Sequence, residues 1–211
     1  MIHMRYHMNM NAYQKEQIEA LKMVVHHLKQ RTDAERLALL ETVQEYLDFR
    51  RRVDLFLELN FSRVCTLNCF QSRRSACCSR DGIITFFADV VVNVLTSTHP
   101  EIASLLDVLE APHEGSKCVY LGRQGCLWQV KPIVCQMFLC EAAAREVFEQ
   151  NPEAGKQWKA LQDESRRFKW PDRPVLFDAL EKYFLDAGFA STLMYLHTSP
   201  GLIRVKKKAG L

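Results

Sequence analysis

Apolar residues in the first quarter of the chain recur every three or four positions. In residues 12–30, Ile18, Leu21, Val25 and Leu28 fall on one stripe, which predicts an amphipathic helix. Thr32 restarts the pattern as a helix N-cap. Glu35, three residues on, predicts a capping box, and Leu37, Leu40, Val43 and Leu47 carry the apolar face towards about Leu59. Between Phe61 and Cys140 the texture changes, because Gly82, Gly115, Gly122, Gly125 and prolines interrupt the helical period. Within that stretch residues 83–87 read as a short strand, Asp89 as the N-cap of a helix through Leu95, and residues 101–109 as a further helix. Residues 118–121 and 126–128, flanking a four-residue turn at 122–125, read as a hairpin. Helical composition returns in residues 141–150, 158–168 and 175–186, separated by Pro152, Pro171 and Pro174, with Gly188 as a stop.

These elements predict a mainly α fold, a helical scaffold around a cysteine-rich, loop-rich metal-binding centre with a small β-hairpin. The organisation is N-terminal amphipathic helices in 1–60, a cysteine-cluster region in 61–145, C-terminal helices in 146–200 and a frayed basic tail in 201–211, all within one compact domain. A chain of 211 residues, 48% hydrophobic and 25% charged, buries a core of its own without cross-links. The formal charge of +3 is too mild for a phosphate-tracking surface, so no nucleic-acid partner is expected. Residues 1–15 hold no apolar run of signal-peptide length, and the longest apolar runs are far shorter than the ~20 residues that span a bilayer. The expectation is a soluble, cytoplasmic chain that keeps off membranes.

That compartment decides how the eight cysteines are read, because cytosolic thiols stay reduced and an even count there points to metal or catalysis rather than to disulfides. All eight lie in the 76 residues from Cys65 to Cys140, and none in the 135 outside. They form two groups of four, Cys65, Cys69, Cys77 and Cys78, then, after a gap of 39 residues, Cys118, Cys126, Cys135 and Cys140. Four thiolates close a tetrahedral zinc site or hold one iron-sulfur cluster. Cys65 with Cys69, and Cys135 with Cys140, read as claws in which a short loop turns two sulfurs back on one ion. The adjacent Cys77 and Cys78 fit a single small ion poorly, since neighbouring side chains of extended backbone point to opposite faces; they serve two ions or one large cluster. Arg73, Arg74, Arg80, Lys117 and Lys131 lie close in sequence and read as a solvated basic surface rather than as partners of the sulfurs. Thiolate softness admits both zinc and iron, with an iron-sulfur cluster slightly favoured.

The segment running from Cys118 through Gly122, Gly125 and Cys126 to Lys131, Pro132, Cys135 and Cys140 resembles the second half of the YkgJ-type cysteine-cluster family, a CxxCxxCC zinc- or iron-chelating domain. The likeness covers roughly residues 61–145 and includes a first group ending in a Cys-Cys pair. It implies metal ligands among all eight cysteines and a helix-capping acid at Asp89. Lys131 stands where the family usually has Arg, Gln136 replaces the Arg after the third cysteine, and Leu139 replaces a frequent Pro, so a guanidinium contact at those positions is lost. One branch, the flagellin lysine methylating enzymes, implies an enzymatic option, although its members are considerably longer.

His26 and His27 read as a surface pair beside the packed face of the first helix, and His99 and His113 as residues the thiolates make unnecessary. Tyr120 and Trp128 read as a hydrophobic cover over the sulfurs. The chain carries no phosphate loop, dinucleotide fingerprint, nucleophile elbow or paired-histidine zinc-protease signature, so no reaction type is legible. Three functions follow: a metal-binding protein, an iron-sulfur enzyme acting on a substrate such as a protein lysine, or a thiol redox or metal-trafficking protein. The physiological protein partner or substrate is not legible.

Overall fold

The computed structural model describes residues 10–79, 84–113, 115–169 and 175–194, and within them the chain is mainly helical. Helix α1 (Ala12–Lys29) starts at Asn11, whose side chain accepts the Gln14 N–H at 2.9 Å while Gln14 accepts the Asn11 N–H at 3.3 Å. Helix α2 (Asp33–Phe61) opens on the expected box, with Thr32 Oγ1 accepting the Glu35 N–H at 3.2 Å and the Glu35 carboxylate accepting the Thr32 N–H at 2.8 Å. It ends at Phe61, two residues past the expected Leu59. It runs directly into a π-helical segment, Ser62–Phe70, that carries Cys65 and Cys69.

Helix α3 (Phe87–Thr96) begins earlier than the sequence suggested, and Asp89 is not its N-cap. The cap is Phe86, and Asp89 sits in the first turn with Oδ2 accepting the Phe86 N–H at 3.0 Å. The short strand expected over 83–87 is also absent: residues 84–86 have no regular structure, Phe87 is already helical, and Ile83 lies outside the described residues. The β-branched, aromatic run is apolar because α3 is buried almost all round, which period alone does not distinguish from a strand.

Helix α4 (His99–Glu110) is entered through Thr98, whose N–H donates to Glu101 at 2.7 Å. Its C-terminal carbonyls are met from α1, where Gln14 Nε2 donates to Leu109 O at 2.8 Å and Ala111 O at 2.9 Å. Strands β1 (Leu121–Gly122) and β2 (Gly125–Cys126) form an antiparallel pair, Leu121 opposite Cys126 and Gly122 opposite Gly125. The connecting loop is therefore Arg123 and Gln124, two residues rather than four, and Gly125 closes it at φ 120°. Helices α5 (Ile133–Gln136), α6 (Glu141–Gln150), α7 (Pro152–Lys169) and α8 (Leu176–Asp186) follow. Pro152 opens α7 at its first position, where the missing N–H costs nothing.

Helix α1 packs on α3 and α4, α3 on α8, and α2 against α3, α6, α7 and α8. Aromatic side chains cement these contacts. Tyr46 and Phe49 of α2 meet Phe168 and Phe177, while Phe56 stacks on Trp158 at 5.5 Å. His27 is not on the surface as expected. It is 3% exposed, enclosed by Tyr183, Phe184 and Phe189, with Nε2 at 3.2 Å from the Tyr183 hydroxyl. No helix of the described residues is long and apolar enough to cross a membrane. Arg80, Pro171, Pro174 and the tail 201–211 lie outside the described residues.

Candidate metal centre

Cys65 and Cys69 do not form a loop claw. They sit four residues apart on the π-helical segment, which ends as the Gln71 N–H donates to Thr66 O at 2.9 Å. The chain then reverses through two non-glycine residues at positive φ, Arg73 (62°) and Ser75 (39°), conformations that cost of order 1–3 kcal/mol each and cluster at functional sites. The reversal is pinned on Cys69, whose carbonyl accepts the Arg74 N–H at 2.9 Å and the Ser75 N–H at 3.2 Å, and whose Sγ accepts the Ala76 N–H at 3.3 Å. Lys117 reaches across and donates from Nζ to the Arg74 and Ser75 carbonyls, which gives this lysine a structural partner rather than a purely solvated role.

Cys77 and Cys78 follow this turn. Ser79 and Lys117 form an isolated antiparallel bridge, and the Cys118 N–H donates to Cys78 O at 3.0 Å, so the two sequence groups are zipped together at this point. Beyond it the hairpin presents Cys118 and Cys126. Against the effect of burial, the backbone at Tyr120 and Leu121 acts on the Cys118 thiol, that at Trp128 on Cys126 and that at Ile84 on Cys135, in each case towards the thiolate. Amide N–H groups aimed at sulfur favour the thiolate, the form that binds metal.

Cys135 rides on the single turn α5, which two buried groups hold in place. Asp89, 2% exposed, accepts the Ile133 N–H on Oδ1 at 3.0 Å, so one carboxylate serves the first turns of both α3 and α5. Arg50 of α2, 3% exposed, donates to Gln136 Oε1, to the Lys131 carbonyl and to the Tyr46 hydroxyl, the last at 2.6 Å. Gln136 in turn donates to Asp54. Gln136 is thus held by a guanidinium arriving from another helix. Arg50 was not read from the sequence; the signal that could have found it is its place on the buried stripe of Val43, Tyr46 and Val53, where a charge needs a buried partner. Cys140, finally, is the N-cap of α6.

Burial raises the Cys65, Cys118 and Cys135 thiols to about 11, and raises Cys126 as well. The Cys77 and Cys78 side chains act on each other, which raises the Cys77 thiol and lowers that of Cys78. The sulfurs also feel one another's charge. Cys65 senses Cys77, Cys140 and Cys69; Cys78 senses Cys118, Cys126 and Cys135; Cys135 senses both Cys126 and Cys77. Lys131 opposes that charge at Cys65, Cys77 and Cys126.

Among the described residues, no three His, Cys, Asp or Glu side chains stand close enough together to form a ligand set for one ion. The cysteines are electrostatic neighbours, and each set would have to draw in to the Zn–S distance of about 2.3 Å to ligate. The donor chemistry, free thiols of which Cys69 Sγ accepts the Ala76 N–H at 3.3 Å, is that of a site for a thiophilic metal. His113 is engaged elsewhere, with Nε2 at 2.7 Å from the Lys117 carbonyl, and His99 is exposed at the start of α4. Tyr120 and Trp128 are buried edge-to-face at 5.3 Å, and the Tyr120 hydroxyl donates to Gln17 Oε1 at 3.1 Å, which fastens the hairpin to α1.

Among the described residues, fold and thiols together define a mainly helical protein with one two-stranded antiparallel sheet and eight free cysteines. The chain matches no protein-family model, no curated protein and no solved structure.

Proposed function

We propose that this chain is a cysteine-cluster metal-binding protein that holds zinc or iron, with an iron-sulfur cluster slightly favoured. The observation that carries the reading is the joining of the two cysteine groups, the Cys118 N–H donating to Cys78 O at 3.0 Å beside the Ser79–Lys117 bridge, which lays Cys78 alongside the hairpin that carries Cys118 and Cys126. Bound metal would replace mutual repulsion among the thiolates with attraction and would fix a part of the chain that little regular structure holds. The reducing cytoplasm is the compartment in which eight such thiols stay available as ligands. The resemblance to the YkgJ-type family points the same way, and its enzymatic branch makes an iron-sulfur enzyme the alternative.

The test is metal and acid-labile sulfide content, with an absorption spectrum, on protein purified without oxygen. Zinc without sulfide supports a structural metal module. Iron with sulfide and a visible band that bleaches on reduction supports the cluster. Protein free of both, with eight titratable thiols, refutes metal binding.

A second reading, a thiol redox or metal-trafficking protein, is favoured by the adjacent free thiols Cys77 and Cys78, with Cys77 exposed and its side chain lowering the Cys78 thiol. Rapid alkylation of Cys78 ahead of the other seven thiols would support it.

A further inference from the structure

Charge is shared unevenly between the helical scaffold and the stretches that carry the cysteines. Residues 64–86 and 111–140, which flank α3 and α4, hold six Lys and Arg against two Asp and Glu. The rest of the chain holds 22 against 23, so the whole of the net positive charge lies in the cysteine-bearing stretches. Pairing divides the same way. Most scaffold cations meet a carboxylate, as Lys22 meets Glu110, Arg52 meets Glu164 and Lys182 meets Asp186. Among the described residues, Arg73, Arg74, Lys117, Arg123 and Lys131 form no ion pair, and all but Lys117 are exposed.

The fold gathers these cations beside apolar side chains. Lys117 Nζ donates to the Arg74 carbonyl at 2.5 Å and to that of Ser75 at 3.3 Å, which sets it against the turn that carries Arg73 and Arg74. The bridge between Ser79 and Lys117 joins that turn to the hairpin, whose two-residue tip carries Arg123. Lys131 follows the hairpin with its carbonyl held by Arg50, and its charge reaches the Cys65 and Cys77 thiols on the other stretch. Asp89, by accepting the Phe86 and Ile133 N–H groups together, holds the residues next to Ile84 against the segment that runs from Lys131 to Phe138. Ile84 is 47% exposed and Phe138 53%.

We propose that this surface, apolar at Ile84 and Phe138 and basic at Arg73, Arg74, Arg123 and Lys131, docks a segment of another protein that is rich in Asp and Glu and carries large apolar residues. Unpaired cations are complemented by carboxylates, and exposed apolar side chains among them by apolar contact, the mixed composition of a protein interface. Tyr120 and Trp128, rings on which a nucleic-acid base would stack, are buried. Ile84 and Phe138, half exposed, lie in the surface and do not stand out as wedges for a lipid layer. The proposal stands apart from the metal-binding reading, because it uses charged side chains and not thiols.

The test uses the full chain, purified without oxygen, and a fluorescein-labelled synthetic peptide of about 12 residues, about 40 Å when extended, in which Asp and Glu alternate with Leu and Phe. Fluorescence anisotropy should show saturable binding that weakens as salt is raised. A peptide with Asn and Gln in place of Asp and Glu should bind about tenfold more weakly, and so should one with Ser in place of Leu and Phe. On the protein side, Arg74→Glu, Arg123→Glu and Lys131→Glu together should weaken binding about tenfold. Lys15→Glu, Lys29→Glu and Arg36→Glu together change the net charge equally at exposed scaffold positions, and should leave binding within about threefold. Absence of binding, or equal loss from the two triple variants, overturns the proposal. So does tighter binding of single-stranded RNA, or of phosphatidylserine–phosphatidylcholine vesicles, than of the acidic peptide. Should the first triple variant fail to fold by circular dichroism, the peptides decide on the unchanged chain: equal affinity for the acidic and the amide peptide overturns the proposal.

Discussion

Arg50 is the residue whose replacement separates a structural account of this molecule from a list of contacts. It is buried in α2 and holds the Tyr46 hydroxyl, the Lys131 carbonyl and the Gln136 side chain. Arg50→Ala strips the partner from three polar groups, of which Tyr46 and Gln136 are themselves buried. Each unsatisfied buried group costs about 1–3 kcal/mol, and breaking a buried charged network costs about 3–5 kcal/mol in total, since such terms do not add fully. With a urea slope of about 2 kcal/mol/M, the midpoint should fall by about 2 M.

Arg50 also faces Asp89, whose carboxyl burial raises to about 6 and whose rise the guanidinium limits. The sign follows from proton uptake. A carboxyl with its folded pKa above its ordinary value of 3.8 binds protons more tightly in the folded chain, so the stability present below pH 3.8 is lost as pH rises through about 6. Without Arg50 that folded pKa climbs further and the loss extends to higher pH. Arg50→Ala should therefore destabilise more at pH 7.5 than at pH 5, measured by urea unfolding followed in the far-ultraviolet circular dichroism at both values. A loss under about 1 kcal/mol, or one equal at the two pH values, refutes the reasoning.

His27 is buried among aromatic rings, and burial first, then the charge of Arg31, lowers its pKa. A depressed histidine must take up a proton on unfolding, so stability should fall as pH drops below about 6.5, and His27→Gln should flatten that limb of a thermal-melting series against pH. Gly125 closes the two-residue hairpin loop at φ 120°, a region L side chains rarely adopt, so Gly125→Ala should destabilise by about 1–2 kcal/mol although its Cβ would meet no atom within 4 Å; unchanged thermal melting would refute the backbone argument.

Local signals carried most of the scaffold. The Thr32–Glu35 box was readable because its hydrogen bonds span three residues and need nothing from elsewhere. Composition placed Glu141 at the start of α6, and the turn glycines Gly122 and Gly125 located the hairpin, though with a loop of four residues instead of two. What was lost depended on distant partners. Asp89 was read as an N-cap because its second N–H donor, Ile133, lies 44 residues away, and Arg50 was not singled out because its partners at 131 and 136 are more than 80 residues off. His27 could not be told from His26 by period alone, since the rings that bury it come from α8 and from Phe189. Cys65 and Cys69 read as a loop claw because nothing local shows that α2 passes into a π-helix instead of stopping.

The hydrogen bond between Cys118 and Cys78 closes a loop of about 40 residues that contains α3 and α4. Joining two points that far apart removes conformational freedom from the unfolded chain, and for a permanent link over ~40 residues the chain-entropy relation gives about 4 kcal/mol. A metal shared by Cys78 and the hairpin would act on the molecule as such a link. Its stabilisation would come largely from states the unfolded chain no longer visits, and it could be undone by a chelator. During synthesis this clasp cannot close until Cys118 has emerged, so α3 and α4 have to be made before the residues flanking them can be joined.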